Sequence, residues 1–263
     1  MLDVTHVLYH ANCADGFGAA YAVWKRLQTA AEYLPVRHGD PPPELPAGAR
    51  VAIVDFSYSR EVLLELKQRC PQLLVLDHHK SAQQDLEGLD FARFDMQKSG
   101  ARLAWEHWWP ELPLPALLAY VEDRDLWRWA LPDSRAVSLG LQSHPMSFEL
   151  WDGLDPEELR TEGQAILRFQ NQQVARAVSR ARLTELAGHQ VPTVNSCLFQ
   201  SEIGEELCLA YPEALFSGVY YTNQEGRQAW SLRSRGDFDV SEVARQFGGG
   251  GHRSAAGFAM PAS

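Results

Sequence analysis

The sequence predicts an α/β fold with a parallel sheet in its first half and a smaller α/β domain at its end. Three apolar runs rich in β-branched residues are each followed by a helical pattern, and these strand-then-helix units of roughly 25 to 30 residues are typical of a parallel α/β sheet. Beyond Gly188 the strand and helix patterns alternate again over a shorter length. With 263 residues, 45% of them apolar, the chain is long enough for one large core or two modest ones.

Strands and helices alternate in chain order in the first half. The predicted strands cover residues 4–9, 51–56 and 73–79. The predicted helices cover residues 16–27, 59–69, 99–109 and 115–122. Gly16 and Gly18 open the first helix, and Ser99 is a typical N-cap for the third, which stops before Pro110. Alternation of this kind favours a parallel sheet.

A long polar helix is predicted to separate two domains. Asp155 and Pro156 combine an N-cap carboxylate with proline at the first helical position, and the helix is expected to run to about Ala187. The elements predicted after it are strands at 191–197, 216–223, 228–234 and 255–260 and helices at 202–211 and 240–247, with a hairpin turn at 223–226. The predicted organisation is a first domain at 1–150, a helical linker at 151–188 and a second domain at 189–263.

The charge balance argues against one class of function. Acidic residues number 34 against 24 basic ones, which gives a net charge of -10 and a sequence pI near 5.4. A protein that coats duplex nucleic acid needs clustered Lys and Arg, and this balance disfavours such a role. A nucleotide or a short oligonucleotide stays open as a substrate, because a few cations suffice for a few phosphates.

The remaining composition predicts a cytoplasmic protein with reduced thiols. The four cysteines share no close spacing, so neither a CxxC zinc site nor a disulfide framework is indicated. The N-terminal residues lack the basic and apolar segments of a signal peptide. No apolar run reaches the roughly 18 to 20 residues of a membrane span, so no membrane partner is expected.

Polar residues stand where the apolar patterns of the first domain end. They are His10, Asp15, Asp55, Asp77, His78, His79 and Asp123. Because the carboxyl ends of parallel strands meet along one edge of a sheet, we expect these side chains to share a site. Imidazole together with several carboxylates suits Mn²⁺, and carboxylates bridge paired ions about 3.5 to 4 Å apart in phosphoryl-transfer sites. The sequence therefore predicts a metal site at this edge.

Five strings, in order, resemble one known family. HANCADGFGAA, VAIVDF, LVLDHH and YVEDRDLW are similar to the four motifs of the DHH phosphoesterase superfamily. GGGGHRSAAGF is similar to the signature of the DHH-associated C-terminal domain of its nuclease branch. The match spans nearly the whole chain and resembles the nanoRNase, or oligoribonuclease-type, and RecJ-like exonucleases. The resemblance implies a DHH catalytic domain, a substrate-binding C-terminal domain and an active site in the cleft between them.

The resemblance also implies roles for single residues. The positions that match metal ligands of the family are His10, Asp15, Asp55, His78 and Asp123. Asp55 would bridge two Mn²⁺ ions, for which Mg²⁺ or Co²⁺ would be substitutes. Asp77 and His79 match catalytic positions: Asp77 would fix the tautomer of a histidine, and His79 would contact the scissile phosphate or a leaving oxygen.

Two positions leave alternatives open. The first motif of the family commonly has two aspartates one residue apart, and Cys13 stands where the first of them is expected. Cys13 either ligates a metal as a thiolate or lies unligated beside the site. In the fourth motif both Asp123 and Asp125 have the right chemistry, and the motif alignment favours Asp123.

The second domain carries the residues expected to hold the substrate. Glycines 248–251 are predicted to form a loop whose N–H groups approach an anion. The substrate-binding positions implied by the resemblance are Arg233, Ser234, Gly249, Gly250, Gly251 and His252. Arg233 suits this role because its planar fork binds phosphate bidentately. Residues 219–263 hold five arginines against four acidic residues, so the net negative charge lies in the rest of the chain.

The other histidines and the tryptophans are interpreted as structural. The histidines without acidic or glycine-rich company are His6, His38, His107, His144 and His189. The tryptophans expected to pack internally are Trp105, Trp108, Trp109, Trp127 and Trp129. Trp127 or Trp129, beside the fourth motif, stays open as a base-stacking residue.

The leading functional hypothesis is a metal-dependent phosphodiesterase or exonuclease. It would hydrolyse short oligonucleotides or single-stranded nucleic acid ends to nucleoside monophosphates by a two-metal hydroxide mechanism. The alternatives are a cyclic-dinucleotide phosphodiesterase, a phosphatase acting on 3′-phosphoadenosine 5′-phosphate, and a catalytically weak nucleotide-binding protein, the last prompted by Cys13. The sequence does not specify the oligomeric state, and a homodimer is compatible with it.

Overall fold

The computed structural model describes residues 4–261, which form two compact units. The units are Met1–Leu167 and Arg168–Ser263. Their boundary falls inside the segment predicted as a linker, 151–188. Residues 1–3 and 262–263, at the outer ends of the two predicted domains, lie outside the described residues.

The first unit alternates strands and helices along the chain. Its strands are β1 (His6–His10), β2 (Glu32–Val36), β3 (Arg50–Val54), β4 (Gln72–Asp77) and β5 (Ala92–Phe94). Its helices are α1 (Ala14–Leu27), α2 (Arg60–Arg69), α3 (Lys80–Asp85), α4 (Gly100–Trp108), α5 (Ala116–Asp125), α6 (Ser134–Ser143) and α7 (Phe148–Asp152). The sequence predicted β1, β3 and β4 and missed β2 and β5. Ser99 caps α4 as predicted, since its hydroxyl accepts a hydrogen bond from the Arg102 N–H at 3.2 Å.

All five strands of the first unit are parallel, in the order β2-β1-β3-β4-β5. The order reverses between β1 and β3, because the chain goes first to one side of β1 and then to the other. Ligands of open parallel sheets bind at such a reversal, outside the carboxyl ends of the strands. His10 ends β1 and Asp55 directly follows β3, so the topology alone places both at the expected binding position.

Each face of this sheet is covered by an apolar core. One core holds residues of α1, α4, α5, α6 and α7, including the nearly inaccessible Trp108 of α4 and Trp151 of α7. The other packs Leu63 and Leu66 of α2 against Val51 and Ile53 of the sheet. The central strands are therefore apolar on both faces, which explains their continuous β-branched runs.

The second unit is built on a mixed six-stranded sheet. It comprises α8 (Pro156–Val178, shared with the first unit), β6 (Arg182–Leu186), β7 (His189–Asn195), α9 (Gln200–Ala210), β8 (Phe216–Thr222), β9 (Arg227–Ser234), α10 (Val240–Gln246), β10 (Gly250–His252) and β11 (Ala255–Pro261). The strand order is β10-β11-β9-β8-β7-β6, and only the β7–β8 pair is parallel. The predicted α/β fold is confirmed for both halves of the chain, and the predicted hairpin turn does join β8 to β9.

The linker helix is shorter than predicted. It ends at Val178, and β6 follows where the helix was expected to continue to Ala187. Ala187 and Gly188 both have positive φ, 51° and 78°, and this tight turn pairs β6 with β7. No helix of residues 4–261 is long and apolar enough to cross a membrane.

The crossing of α6 and α8 depends on two glycines. A Cβ on Gly163 would overlap the Ala136 carbonyl, and one on Gly140 would overlap the Leu159 carbonyl. Both obstacles are backbone atoms, so neither can be relieved by a change of rotamer.

We expect Gly163→Ala to lower the free energy of unfolding by about 1 to 3 kcal/mol, because the helices must separate. Gly153→Ala is the matched control, since the only neighbour of its Cβ would lie 3.7 Å away. Urea titrations of both variants measure the difference. Equal stability of the two variants would show that the crossing tolerates a methyl group.

Candidate active site

The polar strand ends of the first unit converge on the imidazole of His78. Its Nε2 lies 3.1 Å from Asp55 Oδ1, 3.5 Å from Asp15 Oδ2 and 3.5 Å from Asp125 Oδ2. Asp15, Asp55 and His78 are each only 1% exposed. Buried carboxylates at such distances repel one another, so this arrangement is unfavourable unless a proton or a metal ion balances their charge.

A second group of donors lies beside the first. His10 Nδ1 is 3.6 Å from Asp55 Oδ2. One ligand atom each from His10, Cys13 and Asp55 falls within 4.8 Å of the others, and so does one each from Asp15, His78 and Asp125. The two groups are adjacent because Asp55 Oδ2 faces His10 while Asp55 Oδ1 faces His78.

The backbone conformation of Asp55 places its carboxylate between the two groups of donor atoms. Asp55 has φ 54°, in the left-handed region that few residues other than glycine adopt. Its N–H donates to the Leu76 carbonyl at 2.9 Å, which ties it to β4. Strained residues of this kind persist where the surrounding structure holds them, commonly at functional sites.

Two glycines allow helices to approach the site. A Cβ on Gly100 would overlap the side chain of Asp55, and one on Gly16 would overlap His10. Asp15 accepts hydrogen bonds from the N–H groups of Gly100 at 2.6 Å and Ala101 at 2.9 Å, so its carboxylate caps α4. Gly16 was noted in the sequence as a helix opener, and here it also permits the close packing of α1 on β1.

The structure separates Asp123 from the cluster. Asp123 accepts hydrogen bonds from the N–H groups of Ala130 at 2.9 Å and Leu131 at 3.2 Å. Those bonds hold the loop after α5, in which Trp127 and Trp129 have positive φ. The expectation that Asp123 faces the metals is therefore corrected: it is Asp125, the last residue of α5, that lies with Asp15 and His78.

Asp77 and His79 form a pair behind the cluster. Asp77 Oδ1 lies 2.6 Å from His79 Nδ1, and Asp77 Oδ2 accepts a hydrogen bond from the Ser57 hydroxyl at 2.6 Å. Asp77 also accepts from the His78 N–H at 2.7 Å. Asp77 thus holds His78 through its backbone N–H and His79 through its ring Nδ1. The other ring nitrogen of His79, Nε2, is not bonded to Asp77.

The pKa shifts of the site reflect burial and charge. Burial and the charges of Asp55 and Asp125 raise the pKa of Asp15, and burial likewise raises the pKa of Asp125. Burial opposes ionisation of Asp55 too, but the neighbouring imidazoles of His10 and His78 outweigh it and lower the pKa of Asp55. The pKa of Asp77 is lowered against burial by the charge of His79.

The pKa values of His78 and His79 are both raised. Burial disfavours the charged form of both rings, but the carboxylates outweigh it: they raise the pKa of His78 to about 10 and that of His79 to about 9. Protonated His78 then supplies the positive charge among the carboxylates. Burial and three nearby carboxylates raise the pKa of the Cys13 thiol, so that thiol keeps its proton when no metal is bound.

One neighbour of the site was missed. His38 lies just past the carboxyl end of β2, with its ring centroid 5.3 Å from that of His10 and 6.3 Å from that of His79. Its place at the site could not be predicted, because β2 was not predicted and His38 was interpreted as structural. Trp127 and Trp129 contact each other edge to face, with Arg135 over both rings.

The candidate substrate-binding residues of the second unit differ in burial and in their hydrogen bonds within the unit. The Arg233 guanidinium donates to the Ser201 hydroxyl at 2.5 Å and to the Leu232 carbonyl at 2.7 Å. Ser234 is buried and its hydroxyl donates to the Phe238 carbonyl at 2.8 Å. The structure therefore gives the Ser234 hydroxyl an internal partner, against the expectation that it faces the substrate.

The glycine run is not a loop throughout. Gly250, Gly251 and His252 form β10, an edge strand paired with β11. A Cβ on Gly249 or Gly251 would overlap the backbone of β11, so these glycines are needed for close packing as well as for any anion. His252 is partly exposed on this edge.

Comparison with known proteins defines the class. A DHHA1 domain matches residues 210–263. The chain is 31% identical to uncharacterized protein R106 of Acanthamoeba polyphaga mimivirus over 285 aligned positions, covering 98% of this chain and 68% of that protein. The chain belongs to one family with R106, and the DHHA1 match supports its placement in the DHH superfamily.

Three solved structures share the fold. An exopolyphosphatase-related protein from Bacteroides fragilis has a TM-score of 0.58 at 15% identity, over 100% of this chain and 88% of its own. The pGpG-specific phosphodiesterase PggH from Vibrio cholerae has 0.53 at 14% identity, over 98% and 93%. Exonuclease RecJ bound to manganese has 0.50 at 15% identity, over 97% and 85%.

Replacing each of the two aspartates of α5 by asparagine tests whether they have the different roles that their positions indicate. Asp123→Asn should lower the free energy of unfolding by about 1 to 3 kcal/mol, because its amide group cannot accept both loop hydrogen bonds. Asp125→Asn should leave the metal-free protein as stable as the wild type or more so, and should weaken Mn²⁺ binding. Urea unfolding in EDTA and Mn²⁺ titration measure the two effects; the reverse pattern would restore Asp123 as the ligand.

The raised pKa values predict opposite pH dependences with and without metal. A group whose pKa is raised by folding adds stability at low pH that is lost as the pH rises through the folded value. Metal-free protein should therefore lose stability between about pH 6.5 and 10, where the unfolded histidines have released their protons and folded His78 and His79 still hold theirs. Mn²⁺ needs deprotonated ligands, so its stabilising effect should grow over the same window.

Thermal unfolding in EDTA and in Mn²⁺, at both ends of that window, measures this. A metal-free protein that becomes more stable toward the alkaline end would contradict the assigned electrostatics.

Proposed function

We propose that this protein is a metal-dependent phosphodiesterase that hydrolyses short oligonucleotides or single-stranded nucleic acid ends to nucleoside monophosphates. The observation that carries the proposal is the buried set of carboxylates around His78 Nε2, placed at the reversal point of a parallel sheet. Membership of the DHH superfamily supports phosphoester hydrolysis as the chemistry.

The donor set fits divalent cations. Among residues 4–261, the buried atoms without a hydrogen-bond partner include His10 Nδ1, Asp55 Oδ2 and Asp125 Oδ2. An unpartnered buried oxygen costs free energy unless a ligand satisfies it, and these atoms come from the two adjacent groups. Imidazole and carboxylate together suit Mn²⁺, with Mg²⁺ or Co²⁺ as substitutes.

We propose that each of the two groups of donor atoms binds one metal ion. His10 and Asp55 would hold one ion, Asp15, His78 and Asp125 the other, and Asp55 would reach both. Cys13 would lie beside the first ion and ligate only after losing its proton. Bound ions would supply Lewis-acid stabilisation of the phosphoryl group and a more acidic water.

His79 has the properties of a proton donor to the substrate. Its Nδ1 bonds to Asp77, which orients the ring. Burial lowers the pKa of this ring, but Asp77 outweighs it and raises the pKa to about 9, which favours the protonated form. We assign Nε2–H of His79 as the donor to a phosphate or leaving oxygen. Asp77 acts through His79 and is a positioning residue.

We propose that the second unit binds the end of the substrate. Arg233 would hold a phosphate, because its guanidinium carries positive charge and is only partly exposed. The terminal nucleotide would lie against His252 and the backbone of Gly249, Gly250 and Gly251. Ser234 would contribute indirectly, since its hydroxyl bonds to the Phe238 carbonyl inside the unit. A cytoplasmic location belongs to the same proposal, because all four cysteines are free.

A dinucleotide is the second candidate substrate. The similarity in fold to a pGpG-specific phosphodiesterase supports including linear and cyclic dinucleotides. The assay therefore compares end-labelled RNA and DNA of different lengths, pGpG, a cyclic dinucleotide and 3′-phosphoadenosine 5′-phosphate, each with Mn²⁺. Preference for the last would make the protein a phosphatase, and absence of turnover would make it a nucleotide-binding protein.

Asp55→Asn should lower kcat/KM on the preferred substrate by at least about a hundredfold, because it removes a charge shared by both ion groups. Asp90→Asn is the matched control, an exposed carboxylate in the same unit, and should keep wild-type activity. Near-normal activity of folded Asp55→Asn would refute the two-metal assignment.

A further inference from the structure

A groove in the second unit carries positive charge that the proposed function has not used. Arg176 and Arg180 line one wall, at the end of α8, and Arg182 lines the other, at the start of β6. The groove encloses about 730 Å³, within the range of pockets that hold small ligands. All of its lining residues belong to Arg168–Ser263.

The charge of this groove is unlike that of the chain as a whole. The lining includes three arginines and no aspartate or glutamate, in a protein of net charge -10. All three arginines are exposed, and among the described residues none of their guanidinium groups has an ion-pair partner. Three like charges side by side repel one another, which favours an anionic occupant.

The helical wall is a regular stripe. Phe169, Gln173, Arg176 and Arg180 follow one another at intervals of four, three and four residues, so they share one side of α8 and its final turn. Arg180 lies two residues beyond the end of α8, in a turn where its N–H donates to the Ala177 carbonyl at 3.0 Å. A linear ligand with regularly spaced negative charges matches such a row.

An exposed aromatic ring ends the row. Phe169 is 58% exposed, and Tyr220 lines the same groove. A basic groove with aromatic side chains is the usual way to bind single-stranded nucleic acid, because phosphates meet the cations and bases stack on the rings. A protein partner fits less well, since the centres of protein interfaces are depleted in charge.

We propose that this groove is an accessory binding site for single-stranded nucleic acid. Arg176, Arg180 and Arg182 contact phosphates, and Phe169 stacks on a base. The inference rests on the proposed function, because the occupant belongs to the proposed substrate class. It adds that strands long enough to enter the groove bind more tightly than dinucleotides.

The test measures binding without cleavage. A fluorescent single-stranded RNA of about 16 nucleotides is titrated with the full-length protein in EDTA, at several salt concentrations. Arg176→Glu/Arg180→Glu should weaken binding at least tenfold and reduce the slope of log K against log salt by about 1.4. Phe169→Ala should weaken binding roughly fivefold or more.

The matched control is Arg69→Glu/Arg93→Glu, which makes the same charge change at exposed arginines of the first unit. It should bind the strand nearly as the wild type does. Both double variants should hydrolyse a dinucleotide at the wild-type rate, because neither alters the metal centre.

The outcomes separate the groove from the catalytic proposal. Strand binding that depends on Arg176 and Arg180 in a protein without hydrolase activity would support the groove and refute the proposed function. Dinucleotide hydrolysis with equal strand binding by the two double variants, or no strand binding at all, would overturn the groove. So would light scattering that shows a dimer dissociated by the groove variant, because the groove would then be an interface between copies.

Discussion

Three carboxylates, from Asp15, Asp55 and Asp125, lie within 3.5 Å of one nitrogen of His78, and the first unit is organised around that concentration of charge. Four elements, β3, β4, α1 and α5, each deliver one of these groups. Burying them together is unfavourable unless a proton on His78 or a metal ion balances their charge. The balance between that proton and a cation links folding stability, pH and metal binding in this protein.

The surrounding backbone keeps the carboxylates in place. Asp55 is held at a positive φ, Gly16 and Gly100 let α1 and α4 approach, and the N-terminus of α4 donates two N–H groups to Asp15. Such contacts leave little freedom for the ligands to move apart. The site is thus prearranged by packing, and binding of a cation would relieve repulsion that the fold itself maintains.

Much of this was predictable from sequence, because a parallel sheet brings its strand ends together whatever else happens. His10, Asp55 and His78 follow from that rule. Asp123 and Asp125 could not be separated from sequence. Residues two apart on a helix point to nearly opposite sides, and the hydrogen bonds to Asp123 come from a loop seven and eight residues further on, whose conformation was not predicted. His38 was missed with the short strand β2. The glycine run was taken for a loop because glycine is depleted in strands, although only two residues separate β10 from the paired β11.

The central claim is that the two groups sharing Asp55 bind two cations. Crystals grown with Mn²⁺ and measured at the manganese absorption edge test it most directly, because anomalous scattering locates the ions without reference to activity. The account predicts two peaks, one beside His10 and Asp55 and one beside Asp15, His78 and Asp125. Peaks only elsewhere on the surface, or an ion bound by Asp123 in place of Asp125, would contradict it.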